Sequence, residues 1–217
     1  MSDELKRQAA RAALDELRDG MVVGLGSGST ASIFIRELGK SRLKVLGIPT
    51  SEESRRLAIE VGVPLTSFNE QPDIDVTVDG ADEVSPQLDL IKGLGGALVR
   101  EKIVAHASKR VVIIVDERKM VERLGTKTAI PVEVIPLAVP RVLLQLKGAH
   151  VRERNGQPIV SDNSNTIVDW NHGEIENPAA LEKELKMMTG VVDSGIFAGV
   201  ASCVIVAGGT GIRKLVR

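Results

Sequence analysis

The chain alternates between short continuous apolar runs and longer segments with an apolar position at every third or fourth residue. Apolar runs of this kind are typical of buried strands, and the periodic segments of helices packed against them. The first half contains four such strands and four helices: strands at 21–25, 44–48, 74–78 and 110–115, and helices that end at Gly20 or cover 31–38, 52–61 and 97–108. Strands that alternate with helices predict a parallel, doubly wound α/β sheet of the Rossmann-like type.

The pattern changes near residue 128. Strands are predicted at 132–135, 149–154, 166–170 and 191–196, with helices at 137–147 and 178–188. This β-α-β-β-α-β order is the split motif of ferredoxin-like α+β folds. The apolar runs 201–207 and 212–216 are expected to return to the first sheet. We therefore predict a Rossmann-like domain from residues 1–128 plus 201–217 and a smaller ferredoxin-like domain from 129–200.

Composition excludes several classes of function. The net charge of −1 favours neither nucleic acid nor an anionic membrane as a partner. Three Phe, one Trp and no Tyr are too few for a surface that stacks single strands. A single cysteine, Cys203, excludes an internal disulfide and fits a reducing compartment. With no apolar signal region and no run long enough to span a membrane, we expect a cytoplasmic protein.

A glycine-rich turn, Gly24-Leu-Gly26-Ser-Gly28-Ser-Thr30, joins a predicted strand to a predicted helix. Backbone N–H groups of such a turn, with the helix N-terminus behind them, form an anion site, to which Ser27, Ser29 and Thr30 add hydroxyls. The alternative is a tight turn with a capping Ser or Thr. The spacing differs from G-x-G-x-x-G, which excludes a nucleotide-binding dehydrogenase and favours a small phosphate ester.

Three acids lie together in Asp79-Gly80-Ala81-Asp82-Glu83, at the end of a predicted strand. They suit a metal, a turn cap or sugar hydroxyls. The three histidines, His106, His150 and His172, are scattered along the chain, so no transition-metal site is predicted. A Mg²⁺ site formed by these carboxylates remains an alternative.

A second glycine loop, Lys92-Gly-Leu-Gly-Gly, leads into a helix that carries Glu101 on an apolar face, while Lys102 and His106 mark its solvated side. A buried acid near a lysine suggests a general base, with the cation stabilising an enediolate oxygen. The alternative is a partly exposed Glu at a helix start, where acids are common. Lys119, taken alone, is typical of a surface lysine.

Taken together, these motifs resemble ribose-5-phosphate isomerase of the A type. The resemblance runs nearly end to end and is carried by six segments: Gly26-Ser-Gly-Ser-Thr-Ala31, Asp79-Gly-Ala-Asp-Glu83, Lys92-Gly-Leu-Gly-Gly-Ala-Leu with Arg100-Glu-Lys102, Pro131-Val-Glu-Val-Ile-Pro136, Ser161-Asp-Asn-Ser-Asn165 and Gly195-Ile-Phe-Ala198. It implies an isomerase that interconverts ribose 5-phosphate and ribulose 5-phosphate without cofactor, as a homodimer or homotetramer. The scattered histidines and an enediolate scheme that moves only protons predict in addition that the activity is independent of metal.

The resemblance also implies roles for individual residues. It puts the proton-transferring base on Glu101, ring opening on Asp79, and Asp82 and Lys92 around the reacting oxygens. Substrate and phosphate contacts fall on three short segments and one lysine: Ser27, Gly28, Ser29 and Thr30; Gly80 and Ala81; Gly93, Leu94 and Gly95; and Lys119.

Two positions depart from the family pattern, because Leu94 and Ser164 stand where glycines are usual. A shift to Gly95 and Gly96 is expected in the first loop, and a structural adjustment in the second. The alternative function is a non-enzymatic sugar-phosphate sensor of the DeoR type. Such a regulator needs a helix-turn-helix, and the roughly twenty residues before the first strand resemble one helix only.

Overall fold

The computed structural model describes residues 2–217. Its helices are α1 (Ser2–Leu14), α2 (Ser29–Lys40), α3 (Glu52–Glu60), α4 (Leu98–His106), α5 (Val139–Gln145) and α6 (Pro178–Met187). Its strands are β1 (Val22–Leu25), β2 (Leu46–Pro49), β3 (Val76–Asp79), β4 (Glu83–Val84), β5 (Leu90–Ile91), β6 (Val111–Asp116), β7 (Ile130–Val134), β8 (Ala149–Val151), β9 (Glu153–Arg154), β10 (Gln157–Pro158), β11 (Thr166–Trp170), β12 (Val191–Ser194), β13 (Ile196–Phe197), β14 (Cys203–Gly208) and β15 (Gly211–Val216). No helix within this range is long and apolar enough to cross a membrane.

The chain divides into two compact units. Unit 1 contains Met1–Ala81, Arg100–Lys119 and Val200–Arg217, and unit 2 contains Asp82–Val99 and Met120–Gly199. Residues 82–99 and 120–128, predicted with the first domain, thus belong by their contacts to the second. The reason is that β4 and β5 pair with β13, from the end of the second domain, in a small antiparallel sheet.

Unit 1 is built on a six-stranded sheet with the order β15-β14-β6-β3-β1-β2. All neighbours are parallel except β14 and β15. Successive residues of β1 point to opposite faces: Val23 joins the core formed with α1, α2 and α3, whereas Val22 packs with Val104 of α4. Helices on both faces confirm the doubly wound prediction, and β14 and β15 return to this sheet as expected.

Unit 2 contains a four-stranded antiparallel sheet with the order β12-β7-β11-β8. Within the unit the connectivity β7-α5-β8-β11-α6-β12 is the predicted split motif. One face of the sheet packs on α5 and α6 through an apolar core. Asn155 and Gly156, with φ of 54° and 73°, form the predicted turn, which joins β9 to β10.

Two predicted elements are shorter than expected. Helix α1 ends at Leu14 and not at Gly20, because the following residues close tighter i→i−3 turns and the Gly20 amide donates to the Lys44 carbonyl at 2.7 Å. The strand predicted at 191–196 is split at Gly195. The Gly195 amide donates to Pro131, and its carbonyl accepts from the Lys92 amide, so the backbone there leaves β12 and enters the small sheet as β13.

Candidate active site

The first glycine turn lies at the carboxyl end of β1, in unit 1. Gly28 is the N-cap of α2 with φ 89°, and no side chain caps the helix. The alternative of a turn capped by Ser or Thr is therefore wrong. An ideal Cβ at Gly28 would meet nothing within 4 Å, so the space beside this N-cap residue is open. N–H groups of a first helical turn lack intrahelical partners, and together with the helix dipole they suit an anion.

The hydroxyls of this turn are in part already engaged. Ser27 Oγ lies 2.7 Å from Thr50 Oγ1 and donates to Ser51 Oγ at 2.7 Å. Ser29 Oγ accepts from Lys6 Nζ at 2.9 Å. The Ser27 hydroxyl thus connects the turn to the start of α3, a contact that the sequence did not predict. Its backbone amide is directed at Asp79 instead.

Asp79, at the end of β3, contacts the same turn. Its Oδ1 accepts from the Ser27 amide at 3.1 Å and from the Gly80 amide at 2.7 Å, and its side chain is 2% exposed. The approach depends on Gly26, whose ideal Cβ would lie 2.6 Å from the Asp79 Cα. The structure thereby brings together Asp79 and the glycine turn, two features predicted separately.

Helix α4 brings Glu101 towards the same edge of the sheet. The end of α4 lies at the start of β3, because the Ile74 amide donates to the Ala107 carbonyl. One turn earlier, Val104 lies so close to β1 that a Cβ on Gly24 would be 2.7 Å from its Cγ1. Glu101 is three residues, about 4.5 Å of helix, further towards the carboxyl ends of the strands. Its side chain is 4% exposed, which agrees with the predicted apolar face.

The predicted solvated side of α4 is only partly right. His106 is exposed, but Lys102 is 6% exposed and Ile103 is 53% exposed. Side-chain polarity therefore predicted the wrong solvent-facing side of α4, because Lys102 is buried and Ile103 is exposed. Its aliphatic stem allows a lysine to pack inside a protein in this way.

Lys119 follows β6 in a short 3-10 helix, Glu117–Lys119, and is half-buried. Since β6 is parallel to β3, this segment also lies at the carboxyl edge of the sheet. Asp116 is bound at 2.8 and 2.9 Å by the Arg118 guanidinium, which lowers the pKa of that carboxyl. The pair fixes the start of the segment that carries Lys119.

In unit 2 the second glycine loop carries Lys92, which is 4% exposed. Its amide donates to the Gly195 carbonyl at 2.8 Å, and its ammonium lies 5.5 Å from the centre of the Phe197 ring. At that distance a cation is attracted by the face of the ring. Strand β13 therefore positions a lysine that the resemblance implies is functional.

The loop accepts leucine at position 94 because this position needs no positive φ. Positive φ angles occur at Gly93 (100°) and Gly96 (83°), and Leu94 is outside this region. The expected shift to Gly95 is wrong in this detail, since Gly93 and Gly96 take the left-handed positions. The Leu94 amide donates to Asp82 Oδ2 at 3.1 Å, and Leu94 and Gly95 are exposed.

Glu83 differs from the other two acids of its segment. It is fully buried and accepts from the amides of Gly125, Lys127 and Thr128, each at 2.6 Å. These bonds make it a structural anchor for that loop within unit 2. Within residues 2–217 no cluster of three or more His, Cys, Asp or Glu is arranged to hold a metal ion.

Two residues that hold the second loop were missed. Arg152 donates to the carbonyls of Gly93 and Leu94, and it is itself bound by Asp169. Arg152 lies 59 residues from Gly93 in the chain. No local pattern connects the two, so the sequence offered no signal for this contact.

Known proteins resemble this chain over nearly all of its length. The profile of the family described as "Ribose 5-phosphate isomerase A (phosphoriboisomerase A)" matches residues 46–211. Ribose-5-phosphate isomerase A of Bradyrhizobium diazoefficiens is 45% identical over 99% of this chain and 96% of its own. The protein of the same name from Gloeobacter violaceus is 50% identical over 98% and 96%.

A solved structure of D-ribose-5-phosphate isomerase in complex with phospho-erythronic acid superposes with a TM-score of 0.98 at 41% identity, and all of both chains is covered. Agreement of this extent in sequence and in fold leaves no part of either unit unmatched. The chain therefore belongs to the ribose 5-phosphate isomerase A family.

Proposed function

We propose that this protein interconverts D-ribose 5-phosphate and D-ribulose 5-phosphate, in the non-oxidative branch of the pentose phosphate pathway. The observation that carries the proposal is the burial of charged groups in the segments that match the family. Asp79, Lys92 and Glu101 are only 2%, 4% and 4% exposed. Burying charge is costly, and it is typical of functional sites.

In the proposed reaction Asp79 assists opening of the sugar ring, and Glu101 then acts as the base. Glu101 removes the proton from C2, the C1 carbonyl becomes an enediolate, and the same carboxylic acid returns the proton to C1. For balance, the hydroxyl proton of O2 must leave and O1 must gain one. We assign Asp82 and Lys92 to these oxygens, because a carboxylate accepts a proton and an ammonium stabilises negative charge.

We infer that the phosphate binds at the N-terminus of α2, with Ser27, Gly28, Ser29 and Thr30 around it and Lys119 as counter-charge. The open space at Gly28 and the absence of a side-chain cap on this helix support that assignment. Substrate contacts are further assigned to Gly80, Ala81, Gly93, Leu94 and Gly95. The reaction moves protons only, so no cofactor is proposed.

The enzyme is favoured over the DeoR-type sensor. The matched relatives are named as isomerases over nearly their full length. A module that only binds a sugar phosphate also has no need for a buried carboxylate such as Glu101, which is 4% exposed near the carboxyl edge of the sheet. A gel-shift assay with DNA tests the sensor alternative independently, because a regulator of this type binds DNA.

The test is isomerisation of ribose 5-phosphate by wild type, before and after exhaustive EDTA treatment, and by Glu101→Gln. The amide keeps size and hydrogen bonding but removes the base, so kcat should fall about 10²–10⁴-fold with little change in KM. Wild type should exchange the C2 hydrogen for solvent deuterium and the variant should not.

Glu184→Gln, at an exposed position of α6, is the matched control and should keep wild-type activity. An inactive wild type would refute the function. A Glu101→Gln variant within a few-fold of wild type would refute the base, and a loss of activity to EDTA that only Mg²⁺ or Zn²⁺ restores would refute metal independence.

We also infer a homodimer or homotetramer. The exposed apolar side chains of unit 2 include Ile135 (49%), Leu137 (93%), Leu144 (73%) and Met187 (76%). Val142 and Leu146, by contrast, are buried in the unit's own core and are not available for such contacts. Exposed apolar groups of this size favour self-association. Sedimentation should show an oligomer for wild type and dissociation for Leu137→Asp, and a wild-type monomer at micromolar concentration would contradict the inference.

A cytoplasmic location is proposed on the state of the one cysteine. Cys203 is a free, buried thiol, and burial raises its pKa. A thiol of this kind persists in a reducing compartment.

A further inference from the structure

One peptide group in the second glycine loop is held on both sides. The carbonyl of Gly93 accepts from Arg152 Nη1 at 2.9 Å, and the amide of Leu94 donates to Asp82 Oδ2 at 3.1 Å. The carbonyl of Gly93 and the amide of Leu94 belong to the same peptide bond. The peptide plane therefore lies between a guanidinium and a carboxylate, with its dipole aligned to both.

Arg152 is well placed to fix this orientation, because each of its three guanidinium nitrogens donates to a partner within unit 2. It is 8% exposed, and Nη1 also donates to the Leu94 carbonyl at 2.7 Å. Nε donates to Asp169 Oδ2 at 2.7 Å and Nη2 donates to the other carboxylate oxygen. The Arg152 amide donates to the Ile167 carbonyl at 2.8 Å. A planar guanidinium with a bidentate carboxylate partner has little freedom to rotate.

The peptide needs such a restraint. Gly93 has φ 100°, and a glycine has a broad choice of backbone angles. Leu94 is 45% exposed, so its side chain does little to hold the plane. Rotation of the plane by half a turn would direct the Gly93 carbonyl at the Asp82 carboxylate and remove the amide from it. Arg152 opposes that rotation because it would lose an acceptor.

We propose that Arg152 is a positioning residue for Asp82, acting through the Gly93–Leu94 peptide, with Asp169 holding the guanidinium. This inference rests on the proposed function, in which Asp82 lies beside the reacting oxygens. Arg152 touches no substrate in this scheme. Its contribution is to present the Leu94 amide to the Asp82 carboxylate and so to keep that carboxylate in one place.

The first test is kinetic. Arg152→Met keeps the aliphatic stem and removes every donor, and kcat for ribose 5-phosphate should fall about 10–100-fold, as expected for a misplacement near 1 Å, while KM stays within about threefold. Arg152→Lys retains one charged donor and should recover part of the loss. Arg154→Met, an exposed arginine two residues on, is the matched control and should behave as wild type.

A double-mutant cycle separates positioning from a general structural role. Asp82→Ala removes the group through which Arg152 is proposed to act. In that background Arg152→Met should lower kcat by less than about threefold further, because the effects of residues that act as a unit are non-additive. If the loss of kcat in the double variant equals the product of the two single losses, the proposal is overturned.

A readout that needs no activity is the Leu94 amide itself, followed by NMR hydrogen exchange in the full chain. Arg152→Met and Asp82→Ala should each accelerate its exchange at least tenfold, and Arg154→Met should leave it unchanged. If thermal melting shows that Arg152→Met is unfolded, Asp169→Asn loosens the guanidinium without removing it and should give the same changes at smaller size.

The outcomes remain distinguishable. An inactive wild type refutes the proposed function, whereas the Leu94 exchange still decides whether Arg152 holds the peptide. Unchanged kcat and unchanged exchange in folded Arg152→Met and Asp169→Asn would overturn the inference.

Discussion

Gly26→Ala is a small change whose effect can be worked out from the contact between the glycine turn and Asp79. The added Cβ would lie 2.2 Å from Asp79 Oδ1 and 2.6 Å from its Cα, whereas ordinary contact begins at 3.4 Å. The neighbours must therefore separate by about 1.2 Å, the difference between 3.4 and 2.2 Å. Because one of them is backbone, the whole turn has to move, and the hydrogen bond from the Ser27 amide to Asp79 is the first to be lost.

Overpacking of this kind costs typically about 1–3 kcal/mol of unfolding free energy. A displacement near 1 Å of groups around the substrate costs about 10²-fold in rate. We expect Gly26→Ala to remain folded and to lose about 10²-fold in kcat/KM, measured by urea unfolding and by isomerisation of ribose 5-phosphate. Gly209→Ala, where a Cβ would meet nothing within 4 Å and no positive φ occurs, is the control. Activity of Gly26→Ala within threefold of wild type would show that this contact does not position Asp79.

Two further predictions concern stability. Ser164 has φ 63°, so Ser164→Gly should relieve left-handed strain and raise the unfolding free energy by up to about 1 kcal/mol. The control Ser67→Gly, at an exposed position without positive φ, should bring no such gain. A lower unfolding free energy for Ser164→Gly would contradict the reasoning. Because Arg118 lowers the pKa of Asp116, their bond contributes its full stabilisation above the unfolded carboxyl pKa of about 3.9, and this contribution is lost progressively as pH falls from there through the lower pKa of the folded state. Urea unfolding from pH 7 to 3 should thus show a difference between wild type and Arg118→Met that shrinks towards pH 3, and a difference independent of pH would exclude the mechanism.

Local patterns predicted the order of the elements well. The continuous apolar run 110–115 became β6, buried along its whole length, and the periodic segment after the Gly28 turn became α2. A strand whose two faces are both covered needs no polar alternation, and this is why the parallel sheet could be recognised. The departures lie where long-range contacts compete with local preference, as at Gly195, whose backbone is bound by Pro131 and Lys92.

For the candidate site, burial was easier to predict than contacts. Glu101 and Asp79 were proposed from motif and from position at a strand end, and both are buried. The different uses of Asp79, Asp82 and Glu83 were not predictable, since each depends on which amides come within reach. Glu83 meets the 125–128 loop, whereas Asp82 meets Leu94.

The sequence by itself determined the class of sheet, the split motif, the family and the identity of the charged residues, because these follow from periodicity and from motifs within a few residues of each other. Only the tertiary structure decided which groups meet. Ser27 and Asp79 are 52 residues apart, and Arg152 and Gly93 are 59 apart. A hydrogen bond forms over about 3 Å and depends on direction, so it is set by the packing of whole elements and leaves no mark in the local pattern of either partner.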